Sequence, residues 1–176
     1  MIRRKLHKWE EKEAKLVFAD FVDYSRITVF EEALWTNLFD DISRRCRLVS
    51  PRNENEHNAI ALGFHCYFPV ALPSIYVETQ SCRVYMSWLI HEIAHVWQFQ
   101  RMGWKYLYDV LISHLRYGAD VYDYGGSHGL RRNRQVGKKL MDYNLEQQAT
   151  ILQDAYLNLI SLDYDCIWKE VVSDLE

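Results

Sequence analysis

The segment Met86–Arg101, Met-Ser-Trp-Leu-Ile-His-Glu-Ile-Ala-His-Val-Trp-Gln-Phe-Gln-Arg, carries two opposed demands. Val84 just ahead of it and Trp88, Ile90, Ile93, Ala94, Val96, Trp97 and Phe99 within it make it apolar on most faces, and no proline or glycine interrupts it before Gly103. A helix apolar nearly all round is a buried one. Yet His91, Glu92 and His95 spell H-E-x-x-H inside it. On a helix, His91 and His95 stand one turn apart on one face, where two imidazoles can grip a single metal ion. Glu92 is turned about 100° from His91, beside the ion rather than on it, where a general base serves metal-assisted hydrolysis. Buried imidazoles and a buried carboxylate are costly without partners, and a metal supplies those partners together.

A catalytic zinc takes three protein ligands and leaves one position open. The continuation H-E-x-x-H-x-x-G-x-x-H is excluded, because Gln98 and Arg101 stand where its glycine and third histidine belong. A glutamate from a later helix is the other solution. Leu145, Ala149, Leu152, Tyr156 and Leu159 recur at helical spacing, and Glu146 lies close to that stripe in the first turns. Glu146 is the expected third ligand. Asp154 competes, but it stands about 12 Å further along the axis, so both cannot hold one ion. Hydrolysis through a tetrahedral intermediate also needs a donor facing the oxyanion. Tyr143 and His128 are the catalytic candidates for that role, with Tyr124 and His114 open beside them.

The rest of the chain fits one α+β domain over residues 1–176, long enough for a real core. A net charge of −3 and a pI near 6.2 give no sign of a nucleic-acid binder. No apolar run approaches the roughly 18 residues of a membrane span. The charged N-terminus lacks the apolar core of a signal peptide, so the expectation is a cytoplasmic product, with any export by a route that needs no cleaved signal. Cys46, Cys66, Cys82 and Cys166 form no C-x-x-C pair and read as small buried hydrophobes, a disulfide being the lesser alternative.

Local pattern predicts an amphipathic helix over residues 8–21, a strand over 23–30, and a short helix or irregular stretch over 31–42. Residues 50–58 read as a polar loop, and residues 59–68 and 74–78 as strands. These make a small sheet whose edge strand could pair with an extended peptide. Tyr106–Tyr117 reads as a helix and Gly118–Gly129 as a loop. The basic run Arg131–Lys139 reads as a solvated linker, and Ile167, Trp168 and Val171 of the tail should pack on the body.

Residues 23–29 (Asp-Tyr-Ser-Arg-Ile-Thr-Val), 75–77 (Ile-Tyr-Val), 89–98 (Leu-Ile-His-Glu-Ile-Ala-His-Val-Trp-Gln) and 143–149 (Tyr-Asn-Leu-Glu-Gln-Gln-Ala) resemble, in that order, small bacterial Rhs- or Vgr-related proteins linked to type VI secretion. Those look like minimal zincins of the glutamate-ligand, gluzincin-like type. The resemblance implies a zincin-like fold, with a small sheet packed on a buried H-E-x-x-H helix and a second ligand-bearing helix. It implies zinc held by His91, His95 and Glu146, Glu92 as base, and association with a secretion effector system. Better-known gluzincins often place an acidic residue one turn after the ligand glutamate to orient a metal histidine; here that position is Thr150.

The leading expectation is thus a zinc metallopeptidase acting on a peptide or protein substrate, with a secretion-system or effector protein as partner. The alternative is a non-catalytic secretion adaptor or chaperone that retains zinc, its aromatic residues serving an interface. A weaker third is a hydrolase of non-protein amides such as cell-wall peptides.

Overall fold

The computed structural model describes residues 1–37, 58–161 and 166–175. Expectations for Cys46, for the loop at 50–57 and for residues 38–42 lie outside them. The described residues form a four-stranded sheet and a set of helices, a mixed α+β architecture.

The sheet comprises β1 (Ile2–Arg4), β2 (Thr28–Glu31), β3 (Ile60–Leu62) and β4 (His65–Tyr67), in the order β1-β2-β4-β3. β1 pairs antiparallel with β2, β2 parallel with β4, and β3 with β4 as a hairpin. The register sets Val29, Cys66 and Ala61 in one row, and all three are buried. Side chains alternate across a strand, so the next row falls on the opposite face. There Phe30 and Tyr67 stack with ring centroids 4.7 Å apart. The three-residue β1 carries little apolar pattern. It is secured by Arg4, whose guanidinium donates to Glu31 at 2.5 Å and to both oxygens of Glu10, on the first helix, at 2.7 and 2.8 Å.

The first helix, α1 (Lys8–Phe18), buries Ala14, Val17 and Phe18; it stops at Ala19, whose φ is +44°. The expected strand at 23–30 begins only at Thr28, after a 3-10 turn at Tyr24–Arg26. Residues 74–78 form no strand; they run into Thr79, whose hydroxyl accepts the Cys82 N–H and caps α2 (Gln80–Met102). The middle of α2, from Met86 to Gln98, is buried on most faces, with Ile90, Ile93, Ala94 and Val96 fully enclosed, whereas Val84 and the last turn are exposed. It ends at Gly103, in the left-handed region with φ of +58°, whose N–H bonds the Phe99 carbonyl.

Next come α3 (Lys105–Tyr117), α4 (Gly126–Gln135), α5 (Leu145–Leu159) and α6 (Cys166–Ser173). α5 packs against α2 and starts on Asn144, whose Oδ1 accepts the Gln147 N–H at 2.9 Å. Ile167, Trp168 and Val171 of α6 are buried, as expected.

Three other expectations are corrected. Gly118–Gly129 is a 3-10 helix at Gly118–Tyr122 followed by the start of α4, not an open loop. The basic run is mostly α4 rather than a solvated linker, because Arg134 is ion-paired with Asp174 and donates to the Glu170 carbonyl. Edge strand β3 is covered at its middle: the buried Tyr106 of α3 donates to the Ala61 carbonyl at 2.6 Å, where an extended peptide would have paired. Among the described cysteines, Cys66 and Cys82 are buried and free, whereas Cys166 is exposed. No described helix is long and apolar enough to cross a membrane.

Candidate metal centre

The two histidines of α2 come together as the helical spacing requires. The rings of His91 and His95 lie 5.0 Å apart, steeply inclined to each other. Facing them across the helix pair is Glu146, one residue inside the N-terminus of α5. Its Oε2 stands 3.3 Å from His91 Nε2 and 3.4 Å from His95 Nε2. One ligand atom from each of these three residues lies within 4.8 Å of the other two, so the group could hold a metal ion.

The orientation of each ring is fixed from behind. Gln98 Oε1 meets His95 Nδ1 at 2.8 Å, and Gln153 Oε1 meets His91 Nδ1 at 3.1 Å. An amide oxygen only accepts, so each Nδ1 carries a hydrogen and each Nε2 is the atom turned to Glu146. Gln98 is fully buried and donates onward to the Leu145 carbonyl at 2.9 Å and to Gln148 Oε1 at 3.1 Å. Gln153 rides on α5 two turns after Glu146, on the same face. The helix that presents the carboxylate therefore steers His91 through Gln153, while His95 is held by Gln98 of its own helix, which is anchored on the Leu145 carbonyl.

Electrostatics match this arrangement. Burial alone would raise the Glu146 carboxyl, but the charge of His95, the hydrogen bond from His114 and the close approach of His91 and His95 hold it well below the usual carboxylate range. His95 moves the other way: burial disfavours its charge, yet the Glu146 carboxylate, Glu92 and Gln98 push it up to about 9. In the metal-free protein the Glu146 carboxylate thus favours the protonated form of His95. Glu92 is buried beside the pair; burial raises its carboxyl, opposed by His91 and His95 and reinforced by Glu146. Glu92 Oε2 and Glu146 Oε2 are both buried without a hydrogen-bond partner. Two such acceptors beside two histidines suit a group that could hold a cation.

The other residues singled out in the sequence have the following partners. The Tyr143 hydroxyl accepts from Asn133 Nδ2 at 3.1 Å, and Lys138 sits over its ring. His128 is exposed on α4. Tyr124 donates to Asp154, which leaves Asp154 outside the ligand group. Thr150 donates to the Glu146 backbone carbonyl and orients no histidine. His114 does reach the site, its Nε2 lying 2.9 Å from Glu146 Oε1. Tyr122, whose ring centroid is 6.2 Å from that of His91 and 5.6 Å from that of His114, flanks the more exposed side. The sequence carries no signal for Gln153, and Tyr122 stands there only as one of several tyrosines in the 103–141 stretch; Gln98 is visible as a departure from another motif and as the end of the 89–98 segment that carries the resemblance.

No family model and no solved structure matches the chain. A curated relative does. The chain is 28% identical over 156 residues to the type VI secretion system spike protein VgrG2b of Pseudomonas aeruginosa. The match takes in 88% of this chain but only 13% of that protein, so the likeness is to a small part of the relative.

Proposed function

We propose that the chain is a minimal zincin-like, zinc-dependent metallopeptidase of the glutamate-ligand type that works in type VI secretion. The observation that carries the reading is the convergence of His91 Nε2, His95 Nε2 and Glu146 Oε2, with the last atom buried and otherwise unpartnered. Ligands 2.0–2.2 Å from a tetrahedral zinc stand roughly 3.3–3.5 Å apart, and the two nitrogen–oxygen separations here are 3.3 and 3.4 Å. Two imidazoles and one carboxylate are also a catalytic rather than a structural donor set, since structural zinc sites are mostly closed with cysteine.

Zinc, when bound, acts as a Lewis acid and lowers the pKa of a coordinated water toward about 7. The chain's own work is to hold and move a proton. Glu92 sits one residue from His91, and its burial raises its carboxyl above the ordinary value, which suits a general base. It accepts a proton from the attacking water and delivers it to the departing amine. His91 and His95, locked by Gln153 and Gln98, keep their Nε2 atoms on the ligand side throughout. The likeness to a type VI secretion spike protein supports an association with that system, with a spike or effector protein as partner.

Glu92→Gln tests the assignment. It should bind zinc as the native chain does and keep its fold, while turnover of a fluorogenic peptide library falls by two orders of magnitude or more (about 10²–10⁴-fold). Retained turnover would remove Glu92 as the base. A native protein that binds zinc yet cleaves nothing would favour the adaptor reading.

A further inference from the structure

The third ligand has a neighbour that the reading above does not use. The two oxygens of Glu146 are divided between two tasks: Oε2 faces both Nε2 atoms of α2, and Oε1 is held by His114 Nε2 at 2.9 Å. A carboxylate only accepts, so this nitrogen of His114 carries the hydrogen. His114 belongs to α3, a third helix, and its ring meets Tyr122 edge-on, with centroids 5.6 Å apart. Glu146 is only 4% exposed, so its carboxylate depends on buried partners such as this one.

We infer that His114 is a positioning residue that keeps Glu146 a one-oxygen ligand, drawing Oε1 away from the ion so that the remaining coordination position stays free for water. This rests on the zinc-hydrolase reading. A carboxylate can embrace a cation through one oxygen or two, and a second bound oxygen here would fill the position hydrolysis needs. His114 stands outside the three-residue ligand group, and its donating nitrogen is already engaged, so it is neither a fourth ligand nor an oxyanion donor through that atom. Partners that orient ligands in this way are typically worth about 10–100-fold in metal affinity.

The experiment uses the full chain with zinc alone, titrated in competition with a chromophoric chelator, and with cobalt as a spectroscopic substitute. His114→Ala should bind zinc about 10–100-fold more weakly. Its cobalt form should lose visible absorption intensity, as a site does when it passes from four to five ligands. His114→Gln, whose amide can donate at the same reach, should restore most of the affinity and the native spectrum. Unchanged affinity and spectrum in His114→Ala would overturn the inference and leave the metal reading standing. A loss that glutamine does not rescue would also overturn it, since the donated hydrogen bond would not be the cause. If the native chain itself takes up no zinc, the underlying reading falls first. The His114 side chain is 29% exposed, so its loss should be tolerated by the fold, and circular dichroism checks this.

Discussion

Gln98 and His95 share a buried hydrogen bond, 2.8 Å from Oε1 to Nδ1, and the same amide donates to Leu145 at the head of the helix that carries Glu146. One side chain on α2 therefore sets the angle of an imidazole and its distance from the opposing carboxylate. Gln98→Leu should leave His95 Nδ1 unpaired and free its ring to rotate. Zinc affinity is expected to fall about 10–100-fold. Stability should drop by about 1–3 kcal/mol, because polar groups on α5 are orphaned as well. Chelator competition and urea unfolding check the two effects separately.

Acid and base should act on the metal-free chain in opposite senses. His95 titrates near 9 in the folded chain against an ordinary 6.5, so its contribution is fully present below about 6.5 and fades as the pH rises toward 9. The Glu146 carboxyl is depressed, so its contribution is present above about 4.5 and is lost as the pH falls through the folded value. Melting temperature without metal should decline from pH 6.5 to 9.5, and added zinc should flatten that decline. Zinc binding at pH 7.5 should release about one proton, fading above pH 9. Calorimetry in buffers of different ionisation enthalpy reads this directly.

A stability test far from the site separates fold from function. Arg4 lies between the buried carboxylates of Glu10 and Glu31. Arg4→Ala should cost about 3–5 kcal/mol by leaving two buried charges uncompensated. Zinc affinity of the folded fraction should not change. A loss under 1 kcal/mol would mean that water reaches the pair.

The α3–α4 connection offers a steric test. A Cβ on Gly129 would come 2.7 Å from the Tyr124 backbone oxygen. Gly129→Ala should therefore destabilise by about 1–3 kcal/mol, the range for overpacking, although alanine is the better helix former. A stabilised variant would show that this contact yields easily.

The parts legible in the sequence are those that depend on short-range spacing. His91, Glu92 and His95 sit within one helical turn, and the stripe of Leu145, Ala149 and Leu152 marks the helix bearing Glu146. His114 and Gln153 reach the site from other elements, and only the packing of three helices shows that His114 touches a carboxylate. α4 was misread because its glycines and arginines look like a solvated connection, whereas Arg134 is bound to Asp174 near the far end of the chain. β1 was missed because three residues, two of them arginine, carry no alternation; its place is decided by Glu10 and Glu31. The edge of β3 looked open because nothing local shows that Tyr106 covers it.

The most direct measurement is the metal content of the purified native protein and of Glu146→Ala, by elemental analysis after extensive dialysis. About one zinc per chain is expected in the native protein, and its loss in the variant with the circular dichroism spectrum intact. Full zinc occupancy in Glu146→Ala, or a native protein that holds no divalent metal, would contradict the centre formed by His91, His95 and Glu146.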